Sequence, residues 1–377
     1  MSTTEKYVWL DCDPGHDDAT AILLALHCPN IRLLGVSTVH GNASAENTMR
    51  NAARCLHAFA APPSIRVYPG ATKPLLRQAK HDPGTFIMLH IIDRYGSNIT
   101  AEIHGADGLG GVEGLPSAES DAVQARLGND EPVRALDAMS KIIRETWDSG
   151  KGVKVVVVST GPMTNIALFV SVYPELVDAV EEFVFMGGGI GVGNRSAVAE
   201  YNILCDPEAV QIVLDTPVKK CMVPLNVTHT AIVTRDIHSN ILSPGNVLAS
   251  DTAPLPPPAT PLRHTISTLI SFFAESYRST FGFVRGPPLH DALTIAYVSR
   301  PELFACMRYR VDVELGGSYC AGQTVADVWN YRQCDDSWGP SGKNCLIAET
   351  MDVPGFFELF LDGLAKCDVE SPLNKSI

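Results

Sequence analysis

The sequence predicts an α/β protein with a single doubly wound, mostly parallel sheet flanked by helices. Two observations predict it. Short β-branched runs alternate along the chain with longer amphipathic ones, the pattern of a parallel sheet with helices on its faces. In addition, 45% of the 377 residues are hydrophobic and 19% charged, enough to bury a large core and without the composition of a disordered chain. No linker, internal repeat or low-complexity tract divides the chain, so one domain spanning 1–377 is expected.

The elements follow in order. Tyr7–Leu10 reads as a strand, then Ala19–His27 as a helix with Ile22, Leu23 and Leu26 at helical spacing. Ile31–Val39 is the next strand, Glu46–Ala60 the next helix, and Ile65–Tyr68 a third strand ending at Pro69-Gly70. Residues from about 71 to 130 are rich in Gly, Pro and Asp, with only Ile87–Tyr95 helical, and are expected to form an extended loop region covering a site. Regularity returns with the strand Val153–Val158, the helix Pro162–Val172, the strand Phe183–Met186, the helix Pro207–Leu214 and the strand Lys220–Leu225. A proline-rich surface excursion at about 243–261 precedes the helix Leu262–Tyr277, and another helix opens at His290-Asp291. Strands near Arg308–Glu314, Val325–Trp329 and Leu346–Asp352 and a helix Gly355–Leu364 complete the reading.

A formal net charge of −13 disfavours nucleic acid, whose binding is driven by neutralising phosphates with Lys and Arg. An uncharged small molecule meets no such penalty. No run approaches 18 apolar residues and the N-terminus lacks a signal-peptide pattern, so no membrane association and a cytoplasmic location are expected. The ten cysteines include no C-x-x-C pair and read as reduced, buried small residues. The sequons at Asn42 and Asn226 fall within the prospective site, where a glycan would block it.

In open α/β sheets, ligands gather beyond the carboxyl ends of the strands. The first strand ends in Asp11-Cys12-Asp13-Pro14-Gly15-His16-Asp17-Asp18, where Pro14-Gly15 turns the chain and Asp17 and Asp18 enter the helix. One aspartate would satisfy the helix dipole. Several crowded carboxylates repel unless a cation lies between them, and an all-oxygen set selects a hard ion, Ca²⁺ or Mg²⁺. Further polar groups sit at later strand ends: His40-Gly41-Asn42, Ser159 to Asn165, and Met186 to Gly189. Each taken alone reads as an ordinary turn or cap; their recurrence at successive strand ends points to a site. The run Gly187–Gly193 contains no G-x-G-x-x-G frame, which argues against a dinucleotide.

The aspartate run resembles the N-terminal signature of the inosine–uridine-preferring nucleoside hydrolases. The resemblance continues in the family's order through Gly41-Asn42, His104 to Leu109, Thr160 to Asn165, Met186 to Gly189, Glu200-Tyr201-Asn202 and Pro287 to Asp291, nearly the whole chain. It implies a nucleoside hydrolase-like fold and Ca²⁺-dependent cleavage of ribonucleosides to ribose and free base. It further implies Asp13, Asp18, Asp291 and the Thr160 carbonyl as calcium ligands, and Asp13 as general base for the attacking water. Asp17 and Asn42 fall near the 2′-hydroxyl, and Met186, Glu200, Asn202 and, more weakly, Asn194 hold the rest of the ribose. Such chemistry suits the residues, because carboxylates stabilise the positive charge that develops on the ribosyl ring. Homodimers or homotetramers are usual in the family.

His104 and His290 are candidates to aid departure of the base, each in a loop beside a matched motif, since imidazole can give a proton near neutral pH. Tyr277, Phe281 and Phe283 could stack on the base or pack in the core. Pyrimidine ribosides, uridine foremost, are the expected substrates; purine ribosides, a broad range or nicotinamide riboside are the alternatives. Two positions depart from the pattern: Asn226 stands where many relatives have aspartate, and Ala321 where an arginine often precedes the glycine. An aspartyl-phosphate phosphatase and a non-catalytic nucleoside-binding protein are the rival classes. Gly15 and the crowded carboxylates suit a phosphatase poorly, and the complete catalytic set suits a mere binder poorly.

Overall fold

The computed structural model describes residues 4–79, 103–128, 133–250 and 252–375. Its centre is an eight-stranded sheet. The strands are β1 (Lys6–Cys12), β2 (Ile31–Thr38), β3 (Val67–Pro69), β4 (Val155–Ser159), β5 (Val180–Met186), β6 (Lys219–Val223), β7 (Phe304–Tyr309) and β10 (Cys345–Met351); β8 (Val311–Val313) and β9 (Thr324–Ala326) form a separate hairpin. The sheet order is β3-β2-β1-β4-β5-β6-β10-β7, parallel throughout except for β7 against β10. Strand order reverses between β1 and β4, which makes the crevice beyond their carboxyl ends the expected ligand site of a doubly wound sheet.

Side chains alternate between two cores. Val8, Leu10, Val156, Val158 and Val184 pack on one face with the helices His16–His27, Ala45–Ala58, Ala292–Ser299 and Val353–Glu370. Trp9, Val155, Val157, Phe183 and Phe185 pack on the other with the helices Ala135–Trp147, Thr164–Val172 and Pro207–Leu214. Coverage of both faces explains why the central strands read as continuous apolar runs rather than alternating ones.

Some elements differ from expectation. Tyr7–Leu10 extends to Lys6–Cys12, carrying the first two residues of the acidic run into the sheet. The span Arg308–Glu314 divides at Arg310, whose guanidinium pairs with Asp312 and donates to the Pro340 carbonyl at 2.8 Å, so β7 and β8 enter different sheets. Val325–Trp329 shortens to Thr324–Ala326. The expected loop region at 71–130 contains the helix Asp121–Leu127, and Ile87–Tyr95 lies outside the described residues. The helices Ala135–Trp147 and Arg235–Leu242 also go beyond the sequence reading. The helix after the proline-rich excursion is longer than expected, Pro261–Phe281: Pro261 and the Thr260 cap, which accepts from Arg263 N, add one residue at its start, and its end runs on to the left-handed Gly282, whose N–H bonds back to Arg278 O.

Candidate active site

The carboxyl ends of β1, β2, β4 and β5 open into a cleft. Asp17, Asn42, His104, Thr160, Met186, Asn194, Glu200, Asn202, Tyr277, Phe281, His290 and Asp291 line it. Asp13 and Asp18 lie fully buried beneath. Phe283 is not on the wall; it stands edge-on to Tyr277 and His229. Asp11 points away from the cleft, accepting from Ser37 Oγ and Asn165 Nδ2.

Each carboxylate is aimed by its surroundings. Asp18 is the most fully bonded: Oδ1 accepts from Thr160 Oγ1 at 2.7 Å and Asp13 N at 3.3 Å, and Oδ2 from Gly15 N at 3.0 Å and Asn42 Nδ2 at 3.2 Å. Asp13 Oδ2 accepts from Asn42 N at 2.8 Å, while its Oδ1, like Asp17 Oδ1, is buried without a partner. The Asp13 carboxylate is flanked by glycines: a Cβ on Gly41 would lie 1.9 Å from Oδ2 and one on Gly161 2.6 Å from Oδ1. Asp291 occupies the cap position of the helix Ala292–Ser299 yet makes no capping bond, so its carboxylate is left for the cleft.

Oxygens of Asp17, Asp18 and Asp291 all lie within 4.8 Å of one another. Two such charges 4 Å apart repel by about 4 kcal/mol at an effective dielectric constant of 20. Burial pushes all four site carboxyls upward, and neighbouring carboxylates add to it at Asp13, Asp17 and Asp291. Asp17 reaches about 8, chiefly by burial and then by Asp18; Asp13, Asp18 and Asp291 are raised by burial first. Orphaned carboxylate oxygens in a buried, all-oxygen cluster fit a hard divalent cation. The cluster drawn by geometry contains Asp17, which the resemblance had assigned to ribose.

The opposite wall is equally organised. Glu200 caps the short helix Tyr201–Cys205, with its carboxylate accepting from Gly188, Asn202 and Ile203 main-chain N–H groups at 3.0–3.2 Å. Asn202 Nδ2 donates to the Thr160 carbonyl at 2.9 Å and the Met186 carbonyl at 3.2 Å, joining the ends of β4 and β5. Asn194 Oδ1 accepts from Tyr201 N at 2.9 Å. Asn226 explains one departure: Oδ1 accepts from Ile190 N at 2.8 Å and Nδ2 donates to Ile190 O at 3.1 Å. An aspartate could make only the first of these bonds.

His290 is buried between two hydroxyls, with Nδ1 2.8 Å from Thr228 Oγ1 and Nε2 2.7 Å from Tyr277 Oη. Burial holds this imidazole well below its usual range, and burial together with Asp17 raises the Tyr277 phenol. His104 is held against the start of the first helix, its Nδ1 accepting from His16 N at 3.3 Å.

Sequence reasoning missed Ile103, Arg195 and Tyr201, which also line the cleft. Tyr201 was inside a quoted motif, and its Oη donates to the Gly41 carbonyl at 2.6 Å. Arg195 adjoins Asn194; its guanidinium lies 5.1 Å from the Tyr201 ring centroid and Nη1 is buried without a partner.

Comparison with known proteins agrees with this geometry. Residues 8–358 match the family model described as inosine-uridine preferring nucleoside hydrolase. The chain is 35% identical over 362 residues to a "Probable ribonucleoside hydrolase" of Dictyostelium discoideum, covering 96% of this chain and 94% of that one. It is 36% identical over 356 residues to the "Pyrimidine-specific ribonucleoside hydrolase RihA" of Salmonella paratyphi A, covering 94% and 97%. The solved purine-preferring ribonucleoside hydrolase from Gardnerella vaginalis superimposes with a TM-score of 0.76 at 27% identity, covering 96% and 99%. Fold, cleft and matches together define a ribonucleoside hydrolase, an enzyme acting on N-glycosyl compounds. The chain belongs to the inosine-uridine preferring nucleoside hydrolase family.

Proposed function

We propose that the protein is a Ca²⁺-dependent ribonucleoside hydrolase that favours pyrimidine ribosides, uridine foremost. One observation carries the metal-dependent reading: the buried Asp17, Asp18 and Asp291 oxygens within 4.8 Å of each other at the sheet's switch point. Asp13, Asp18, Asp291 and the Thr160 carbonyl would hold the cation, with Asp17 at its edge. A divalent cation there supplies Lewis-acid chemistry, lowering the pKa of the water it contacts.

Asp13 takes the proton of the attacking water. Its Oδ2 is held by Asn42 N, and its orphaned Oδ1 is the acceptor left over. Water oxygen adds to the anomeric carbon as the N-glycosidic bond breaks, and that bond's electron pair leaves with the base. Asp17 and Asn42 meet the 2′-hydroxyl, and Met186, Asn194, Glu200 and Asn202 the rest of the ribose, fixing the sugar for attack. Their carboxylates also face the positive charge developing on the ring.

The departing base receives a hydrogen bond from His104 or from Tyr277, which His290 and Thr228 back at 2.7 and 2.8 Å. The base lies against Tyr277 and Phe281; Phe283 supports Tyr277 from behind. The pyrimidine preference is supported by the similarity to the RihA enzymes. We extend the reading to a cytoplasmic, homo-oligomeric enzyme; the exposed Tyr319, Trp329 and Tyr331 side chains support an assembly surface. Among the described residues, no helix is long and apolar enough to cross a membrane.

The test is release of reducing sugar from uridine, cytidine, inosine, adenosine, guanosine and nicotinamide riboside, before and after chelation and with Ca²⁺ restored. Loss on chelation and recovery with Ca²⁺ is expected, with the fastest turnover on uridine. Undiminished activity in chelator would overturn the metal reading, and faster turnover of inosine would overturn the base preference.

A further inference from the structure

One buried side chain ties the turn carrying His104 to the helix that carries Asp17 and Asp18. His16 Nε2 lies 3.0 Å from the Gly110 carbonyl. A carbonyl only accepts, so Nε2 carries the ring hydrogen of His16. Gly110 N donates in turn to the His104 carbonyl at 2.8 Å, closing the turn, and Asn51 Nδ2 fastens its middle through Asp107 O at 2.7 Å.

The same residue meets His104 directly. Its main-chain N–H donates to His104 Nδ1, which is therefore unprotonated, so the hydrogen of His104 sits on Nε2. With both Nδ1 atoms bare, their 3.3 Å approach is a packing contact, and the rings stack with centroids 5.5 Å apart. Phe272 and Phe273 lie parallel to His16 at 4.9 and 5.7 Å, within 4°. Gly15 leaves the space: a Cβ there would sit 2.5 Å from His104 Nδ1.

We propose that His16 is a positioning residue for departure of the base: it pins Gly110 and packs the His104 ring, so that His104 presents Nε2–H to the leaving group. This rests on the reading of His104 as a hydrogen-bond donor to the departing base. In that step His104 Nε2–H donates a hydrogen bond to the base as the electron pair of the glycosidic bond arrives there, and the freed base takes its proton from solvent. His16 touches neither ribose nor base in this arrangement; its effect runs entirely through His104.

The experiment compares nucleosides with p-nitrophenyl β-ribofuranoside, whose phenolate departs without a proton. His104→Ala should lower kcat on uridine and inosine about 100-fold while leaving the nitrophenyl riboside within about threefold. His16→Leu should show the same selectivity at about tenfold in kcat, with KM unchanged. His16→Gln, whose amide can still donate to the Gly110 carbonyl, should recover most of the loss. His16→Phe keeps the aromatic stack and serves if the leucine variant does not fold; it should behave as the leucine variant does.

An equal loss on both substrate types, or none, in the His16 variants would overturn the proposal and leave His16 a merely structural residue. If His104→Ala itself shows no selectivity, the donor reading of His104 falls and the proposal with it.

Discussion

The phenol of Tyr277 lies 2.7 Å from Nε2 of His290, and the other ring nitrogen of His290 is met by Thr228 Oγ1. The imidazole is thereby engaged at both nitrogens, and the group that connects it to the cleft is the tyrosine hydroxyl. Tyr277→Phe removes that hydroxyl without removing the ring. Turnover of uridine should fall about 10–100-fold, within the usual contribution of a proton-handling group, with little change in KM. Steady-state rates at saturating substrate check this; parental rates would move the base contact elsewhere in the cleft.

Asp13 combines an anchored oxygen with an orphaned one. Asp13→Asn keeps an acceptor for Asn42 N but abolishes the base, and should lower kcat about 10²–10⁴-fold. The cation-free variant should unfold at the same temperature as the parent or higher, because one member of a repelling cluster is gone. Paired rate and thermal-melt measurements separate the two effects, and a variant as active as the parent would end the general-base assignment.

The raised carboxyls make stability depend on pH in a definite direction. Asp17 titrates near 8 in the folded chain against 3.8 when exposed, and Asp13, Asp18 and Asp291 shift the same way. Between about pH 4 and 8 the folded, cation-free protein therefore holds more protons than the unfolded chain, and loses stability as pH rises through that window. Ca²⁺ displaces these protons, so its stabilisation should grow with pH. Thermal midpoints with and without Ca²⁺ at pH 5 and pH 8 test this; a shift no larger at pH 8 would contradict it.

Gly161 offers a test by shape alone. Its backbone accommodates alanine, but the added Cβ would stand 2.6 Å from Asp13 Oδ1. Gly161→Ala should displace that carboxylate and cost at least about tenfold in kcat/KM, since small misplacements of a catalytic group are expensive. The alanine variant retaining full activity would mean that the carboxylate has room to move.

Much of this protein is readable without coordinates, for identifiable reasons. The central strands announce themselves because a parallel strand covered on both faces must be apolar throughout, as Val155–Val158 is. The helix Ala135–Trp147 escaped because it follows a loop-rich stretch without a side-chain cap to mark its start. Arg310 divided an apparently continuous strand through bonds to residues about 30 positions away, which no local pattern encodes.

The acidic run itself, from Asp11 to Asp18, shows where the boundary falls. The sequence by itself determined that several carboxylates gather at the end of the first strand, because strand, turn and helix follow from local residue preferences. Only the tertiary structure decided their individual surroundings: Asp11 turned to Ser37 and Asn165, Asp18 bonded four times, Asp13 with one oxygen free, and Asp17 drawn beside Asp291, 274 positions away along the chain. The same holds for His16, which in sequence is one more residue of a motif and in space is the link to His104 and Gly110. Hydrogen bonding and burial act between groups brought together by packing, and the energies that set a carboxylate's charge or an imidazole's tautomer depend on those neighbours rather than on adjacency along the chain.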